Sequence, residues 1–131
     1  MSLPLAWQSL AGVALGGALG STSRYVLTTW IMRAADSSFP FGTLAVNLLG
    51  SLAAGWLLAW MELHTVSPGW RAFLLAGVLG GFTTWSAMML DVLVLHRAGL
   101  PSWAWLYVAI SLSGGVVLVW LGWRAGTFFS G

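Results

Sequence analysis

"GGFTTWSAMMLD", residues 80–91, sits in the middle of a strongly apolar sequence. It places two glycines, two threonines, a serine and a tryptophan where a buried helix would carry leucines. Gly80 and Gly81 weaken a helix through backbone entropy, and the β-branched Thr83 and Thr84 add to that. The stretch therefore predicts a helix broken at its centre. A break frees backbone carbonyls, and at membrane depth such backbone survives only when buried in protein or lining a cavity.

The sequence around it sets that depth. Of 131 residues, 59% are hydrophobic and 6% charged, whereas soluble domains carry about 25% charge. Such a chain cannot cover a water-facing surface and belongs in a bilayer. The net charge of +2 rests on few groups and gives no reason to expect nucleic-acid binding. With no cysteine, disulfides and thiolate metal sites are excluded. The first residues, MSLPLAWQSLAGVALGG, lack a basic region, so no cleaved signal peptide is expected. His64 and His96 fall at the ends of apolar runs and no catalytic constellation surrounds them, so the chain does not read as an enzyme.

Three polar or turn-rich breaks, 33–42, 62–70 and 96–102, leave four apolar spans at roughly 5–32, 42–61, 70–95 and 102–125. Each can cross a hydrocarbon core of about 30 Å at 1.5 Å per residue. Pro40, Pro68 and Pro101 lie just before spans, where proline is tolerated. The expected fold is an all-α membrane protein, a single integral domain over residues 1–131, with four transmembrane helices and the third broken. Eight of the ten tryptophans cluster at span ends, as interfacial anchors do. Trp56 lies about a turn inside, and Trp85 falls near the centre of the third span, where that explanation fails.

With four spans, Arg71 and Arg124 flank one membrane face and Arg33 and Arg97 the other. The positive-inside bias is close to a tie. A tie fits a weakly biased protein with one orientation, or a chain that inserts both ways and pairs as an antiparallel dimer.

Polar and small residues repeat at helical spacing. Gly12, Gly16 and Gly20 form one seam, Gly77 and Gly81 a second, Gly122 and Gly126 a third. Such seams let helices approach closely. Thr43, Asn47 and Ser51 share one face of the second span, and Tyr107, Ser111 and Gly115 one face of the fourth. Ser21, Arg24, Tyr25 and Thr28 make a further stripe in the first. Asn47 carries two donors and an acceptor into hydrocarbon, which fits either a bond between helices or the wall of a narrow wet path. Three stripes beside a polar break favour the path. Carbonyls and threonine hydroxyls at the break also suit a hard cation such as Na⁺, which two copies of the chain could share. A proton-coupled carrier would carry a mid-span carboxylate, but Asp91 lies about 12 Å beyond Thr83 along a helix.

At these residues the chain resembles the Fluc (CrcB-type) fluoride channels. The match runs through "GGALGSTSRY" (16–25), "GTLAVNLLGSLAAG" (42–55) and "GVLGGFTTWS" (77–86), with Tyr107 and Ser111 as a weaker fourth element. The resemblance implies a dual-topology antiparallel homodimer in the lipid of the cell membrane of a bacterium, passively exporting fluoride through two pores. It implies a central structural Na⁺ held by backbone carbonyls of Gly80 and Thr83. Asn47 would hydrogen-bond fluoride, and Tyr107 and Ser111 would line the polar track, with Thr43 on the stripe of Asn47. Thr84 and Ser86 would add hydroxyls, and Arg24 would draw anions at a vestibule. The sequence departs from the family at two pore phenylalanines, which here read Trp85 and Met88. Tryptophan keeps an electropositive ring edge and adds an N–H donor, whereas methionine offers neither. Trp85 is thus expected to meet the anion and Met88 to serve as an apolar wall. Two other functions compete: a non-conducting or partner-dependent subunit, marked by those same two changes, and a small four-helix multidrug exporter. The exporter would want a glutamate within the first span, and Glu62 lies at a loop edge instead.

Overall fold

The computed structural model of the chain describes residues 6–130. Helix α1 spans Trp7–Ala35 and α2 spans Phe41–Leu63. The third span is two half-helices. Its first half, α3, runs through Pro68–Arg71, Ala72–Leu79 and Gly80–Phe82, and its second, α4, is Trp85–Arg97. Helix α5 spans Pro101–Ser130. No strand occurs among the described residues.

Local chemistry fixes the boundaries. Pro68 and Pro101 are the first residues of their helices, where the missing N–H costs nothing. The helices accordingly begin at these prolines, earlier than the polar breaks suggested. The Ser67 hydroxyl accepts the Trp70 N–H at 3.4 Å and caps α3. Helix α1 ends in the left-handed conformation at Asp36, and Gly99, with φ 78°, turns the chain from α4 into α5.

Among the described residues, three helical stretches are long and apolar enough to cross a membrane: Phe41–Leu63, Pro68–Arg97 and Pro101–Phe129. Helix α1, with 29 residues, is long enough by rise alone. Its glycines and the run from Ser21 to Arg24 dilute its apolar content.

The seams anticipated from glycine spacing are the contacts that organise the bundle. Helix α1 packs on α3, α2 packs on α5, and α4 closes against α5. A Cβ at Gly16 would meet the backbone of Phe73, Gly77 and Val78. A Cβ at Gly55 would meet Val119 O and Trp123 N, and one at Gly122 would meet Leu52 and Trp56 backbone. These pairs of helices touch backbone to backbone, which no larger residue allows.

Two features of the third span were not evident from spacing. Residues Ala72–Leu79 form a π-helix rather than an α-helix. The break also falls one step later than the glycines implied. Gly80 stays helical at φ −62°, ψ −36°, while Thr83 and Thr84 are both extended. Gly81 instead serves close approach, facing Gly17 O and Ser21 N of α1.

Candidate functional site

The two extended threonines turn the chain out of the helix, and the backbone of the second, Thr84, is held by Asn47 from α2. Asn47 Nδ2 donates to Thr84 O at 3.0 Å, and Thr84 N donates to Asn47 Oδ1 at 2.8 Å. The amide thus pairs with both backbone groups of one residue at the point where the helical ladder is interrupted. One N–H of the amide is left over. Thr84 also caps α4, its hydroxyl accepting the Ala87 N–H at 3.2 Å.

These substitutions redirect the donors of the break. In an unbroken helix Thr84 N would serve Gly80 O, and Ala87 N would serve Thr83 O. Here the first serves Asn47 and the second serves the Thr84 hydroxyl. The carbonyls of Gly80 and Thr83 have lost their helical donors, and Gly80 is exposed. Gly81 O, between them in sequence, accepts from Arg24 Nε at 2.9 Å. Leu79 O accepts both the Thr83 amide and the Thr83 hydroxyl.

A groove of about 460 Å³ opens beside the break. Asn47, Gly80, Thr83, Thr84, Trp85, Met88 and Ser111 all line it, together with Gly50, Ser51 and apolar residues of α3 and α5. Seven of the eleven residues singled out from the sequence therefore come together. Thr43, Tyr107, Ser86 and Arg24 do not line it. Thr43 lies one turn before Asn47 and alongside Tyr107. Ser86 is exposed on the first turn of α4. Arg24 is half-buried against the end of α3, its Nε on the Gly81 carbonyl.

Trp85 and Met88 lie one turn apart but differ in setting. Trp85 is 63% exposed, and its indole N–H has no partner among the described residues. Met88 is 3% exposed and packs in a cluster with Leu95, Ala104 and Tyr107. Tyr107 is fully buried, with Phe39 edge-on at 5.6 Å, and its hydroxyl donates to Asp91 Oδ2 at 3.0 Å.

Most of the hydroxyls nearby are already committed. Ser111 Oγ donates to Tyr107 O at 2.7 Å and Ser51 Oγ to Asn47 O at 2.8 Å, each satisfying its own helix. The donors left for an incoming anion at the groove are the spare Asn47 N–H, the Trp85 indole and the Thr84 O–H, whose oxygen only accepts. Two partnerships escaped the sequence reading, Tyr107 with Asp91 and Arg24 with Gly81. The second had a signal: Arg24 continues the four-residue row of Gly12, Gly16 and Gly20.

Neutral carbonyls suit a hard monovalent cation. Those released at Gly80 and Thr83 are such donors, and they stand at the C-terminal end of α3, where the helix dipole favours positive charge. Among the described residues no cluster of three or more histidine, aspartate or glutamate side chains could hold a metal.

The sequence model of the family described as "CrcB-like protein, Camphor Resistance (CrcB)" matches residues 11–123. A protein of Xylella fastidiosa (strain 9a5c) named "Fluoride-specific ion channel FluC" is 43% identical over 123 residues, covering 93% of this chain and 86% of that protein. A protein of the same name from Xanthomonas axonopodis pv. citri (strain 306) is 41% identical over 128 residues, covering 96% of each. A third, from Methylobacillus flagellatus, is 46% identical over 113 residues, covering 84% of this chain and 88% of that protein. Matched along nearly its whole length, the chain belongs to the CrcB-like family.

Proposed function

We propose that this protein is a fluoride-specific channel of the cell membrane, working as an antiparallel pair of identical chains through which fluoride leaves the cell passively. The observation that carries this reading is the likeness to proteins named as fluoride-specific ion channels across almost the full chain. The broken third span beside a groove with three uncommitted donors agrees with it. Fluoride holds its water strongly, so a path must offer donors in exchange, and no covalent chemistry is called for. The protein is accordingly not an enzyme.

The pairing is supported by what a single chain leaves bare. Trp85 at 63%, Leu112 at 50% and Val116 at 73% are exposed on α4 and α5, and one groove lined by Trp85 and Leu112 opens at the break. A partner of the same sequence would cover that face and complete the path. The near-tie in arginines across the membrane lets both orientations arise. A Na⁺ at the centre of such a pair would take the Gly80 and Thr83 carbonyls of each chain and would tie the two breaks together by charge. In this reading α1 is the fourth span.

Liposomes loaded with fluoride and holding only this protein provide the test. Addition of a potassium ionophore should release fluoride, read with an ion-selective electrode, while chloride-loaded liposomes stay closed. Release of neither ion, with a dimer still seen by size-exclusion chromatography, would favour a partner-dependent subunit. For topology, reporters fused at the C-terminus should give signals on both sides of the membrane. A single clean orientation would sink the homodimer.

A further inference from the structure

The row of positions four apart on α1 reads Gly12, Gly16, Gly20, Arg24, Thr28, Met32. Each member meets a definite neighbour. Gly12 faces Gly69 and Phe73, Gly16 faces Phe73 and Gly77, and Gly20 faces Val78 O and Phe82 N. Thr28 backbone faces Gly42, and Met32 Sδ accepts the Gly42 N–H at 3.4 Å. The row thus tracks α3 to its end and then crosses to α2. Arg24 stands at the crossing, one turn beyond Gly20, and its side chain reaches the last turn of α3.

There Arg24 Nε donates to Gly81 O at 2.9 Å. In a continuous helix Gly81 O would accept from Trp85 N. The break takes that donor away, and the arginine supplies another. Asn47 from α2 holds the Thr84 side of the break, so the two extended residues are gripped from both ends by different helices.

We infer that Arg24 is a positioning residue for the third span: its Nε–H, rather than its charge, fixes the Gly81 carbonyl and so sets the direction in which the neighbouring freed carbonyls of the break, Gly80 O and Thr83 O among them, point. Its consequence for a bound cation rests on the function proposed above, but the grip on the break does not. Close packing of α1 on α3 at Gly16, Gly20 and Gly81 holds the arginine backbone in place, so little freedom remains in the side chain's approach. This differs from a vestibule role, in which any cation at residue 24 would serve by attracting anions.

Side-chain geometry allows the two roles to be separated. Gln Nε2 is bonded to Cδ, as Arg Nε is, so Arg24→Gln keeps an N–H donor at the same reach and removes the charge. Arg24→Met puts a methyl there, with neither donor nor charge. Arg24→Lys keeps the charge but carries its donor one bond further out, with a methylene where Nε was. The measurement is hydrogen exchange of the peptide covering 79–87, followed by mass spectrometry on the purified protein without added Na⁺. Loss of the hydrogen bond, with the Gly81 carbonyl left unsatisfied, should speed exchange about tenfold or more. Arg24→Met and Arg24→Lys should show that acceleration, and Arg24→Gln should stay near the parent. Acceleration in Met and Gln but not Lys would overturn the proposal in favour of a charge role. So would unchanged exchange in all three, and so would collapse of the Gln variant along with the others. A Na⁺ titration of thermal stability on the same proteins separates the two readings. A parent without Na⁺ response loses the cation site while the exchange result still decides the role of Arg24.

Discussion

Asn47→Asp should abolish fluoride efflux from proteoliposomes, a fall of about a hundredfold or more. The aspartate can still accept the Thr84 N–H, but its second oxygen replaces Nδ2 and meets Thr84 O, acceptor against acceptor. Losing that bond and leaving the carbonyl unpaired costs about 2–4 kcal/mol, and the carboxylate also repels an anion in a poorly screened site. Two causes act together, so a second variant separates them. Asn47→Ser is too short to span both Thr84 groups, which should lower the thermal midpoint of the dimer while leaving residual flux. Size-exclusion chromatography checks that the dimer persists. Normal efflux from Asn47→Asp would remove Asn47 from the path and leave it as a helix clamp alone.

Trp85→Ala should cut efflux by about tenfold or more with little change in thermal stability. The ring is largely exposed and its N–H has no internal partner, so the fold of one chain loses little. The path loses a ring edge, a donor and wall volume together. Met88→Phe should behave in the opposite way. Met88 is buried at 3% within the α4–α5 cluster, and a bulkier ring there should cost about 1–3 kcal/mol through overpacking. Efflux and thermal unfolding measured on both variants give a crossed pattern. Parent-like conduction by Trp85→Ala would end the aromatic-edge account. A silent parent awakened by Met88→Phe would mark the native chain as dependent on a partner.

Much of this architecture was legible because hydrocarbon permits so few solutions. Turn chemistry at Pro40, Pro68 and Pro101 bounded the helices, and the boundaries moved by only a few residues because two of those prolines are first helical residues. The four-residue glycine rows marked the faces on which helices could approach closely. The broken third span could be read from "GGFTT", since β-branched and glycine residues at mid-membrane have few uses. What could not be read was which residues would do the breaking. Gly80 and Gly81 look like the weak point by propensity, yet both stay helical, Gly81 packed on α1, and the break passes to the threonines, one of which Asn47 holds. Met88 and Trp85 share one turn and one groove, but a period of 3.6 does not say that one ring would be bare and the other side chain enclosed. The bond from Tyr107 to Asp91 joins residues 16 apart across a helical hairpin, a pairing for which neither spacing nor composition gives a rule.

The π-helix at Ala72–Leu79 bears on how this chain can change in length. Its hydrogen bonds close five residues back rather than four, so it holds more sequence per turn than the segments on either side. Contacts to α1 recur at Gly69, Phe73, Gly77 and Gly81, four apart, a repeat that a uniform 3.6-residue helix would let slip around its axis by about 40° each time. The wider turns take up that slip. The stretch thus acts as a phase adjuster between the loop at Ser67 and the carbonyls at Gly80 and Thr83. One residue more or fewer would turn everything beyond it by about 100°, aiming different peptide groups at the centre. A substitution here acts through local packing, as at Gly77 against Gly16, whereas insertions and deletions re-aim the break, so the number of residues between Pro68 and Thr83 is as much a part of the site as their identity.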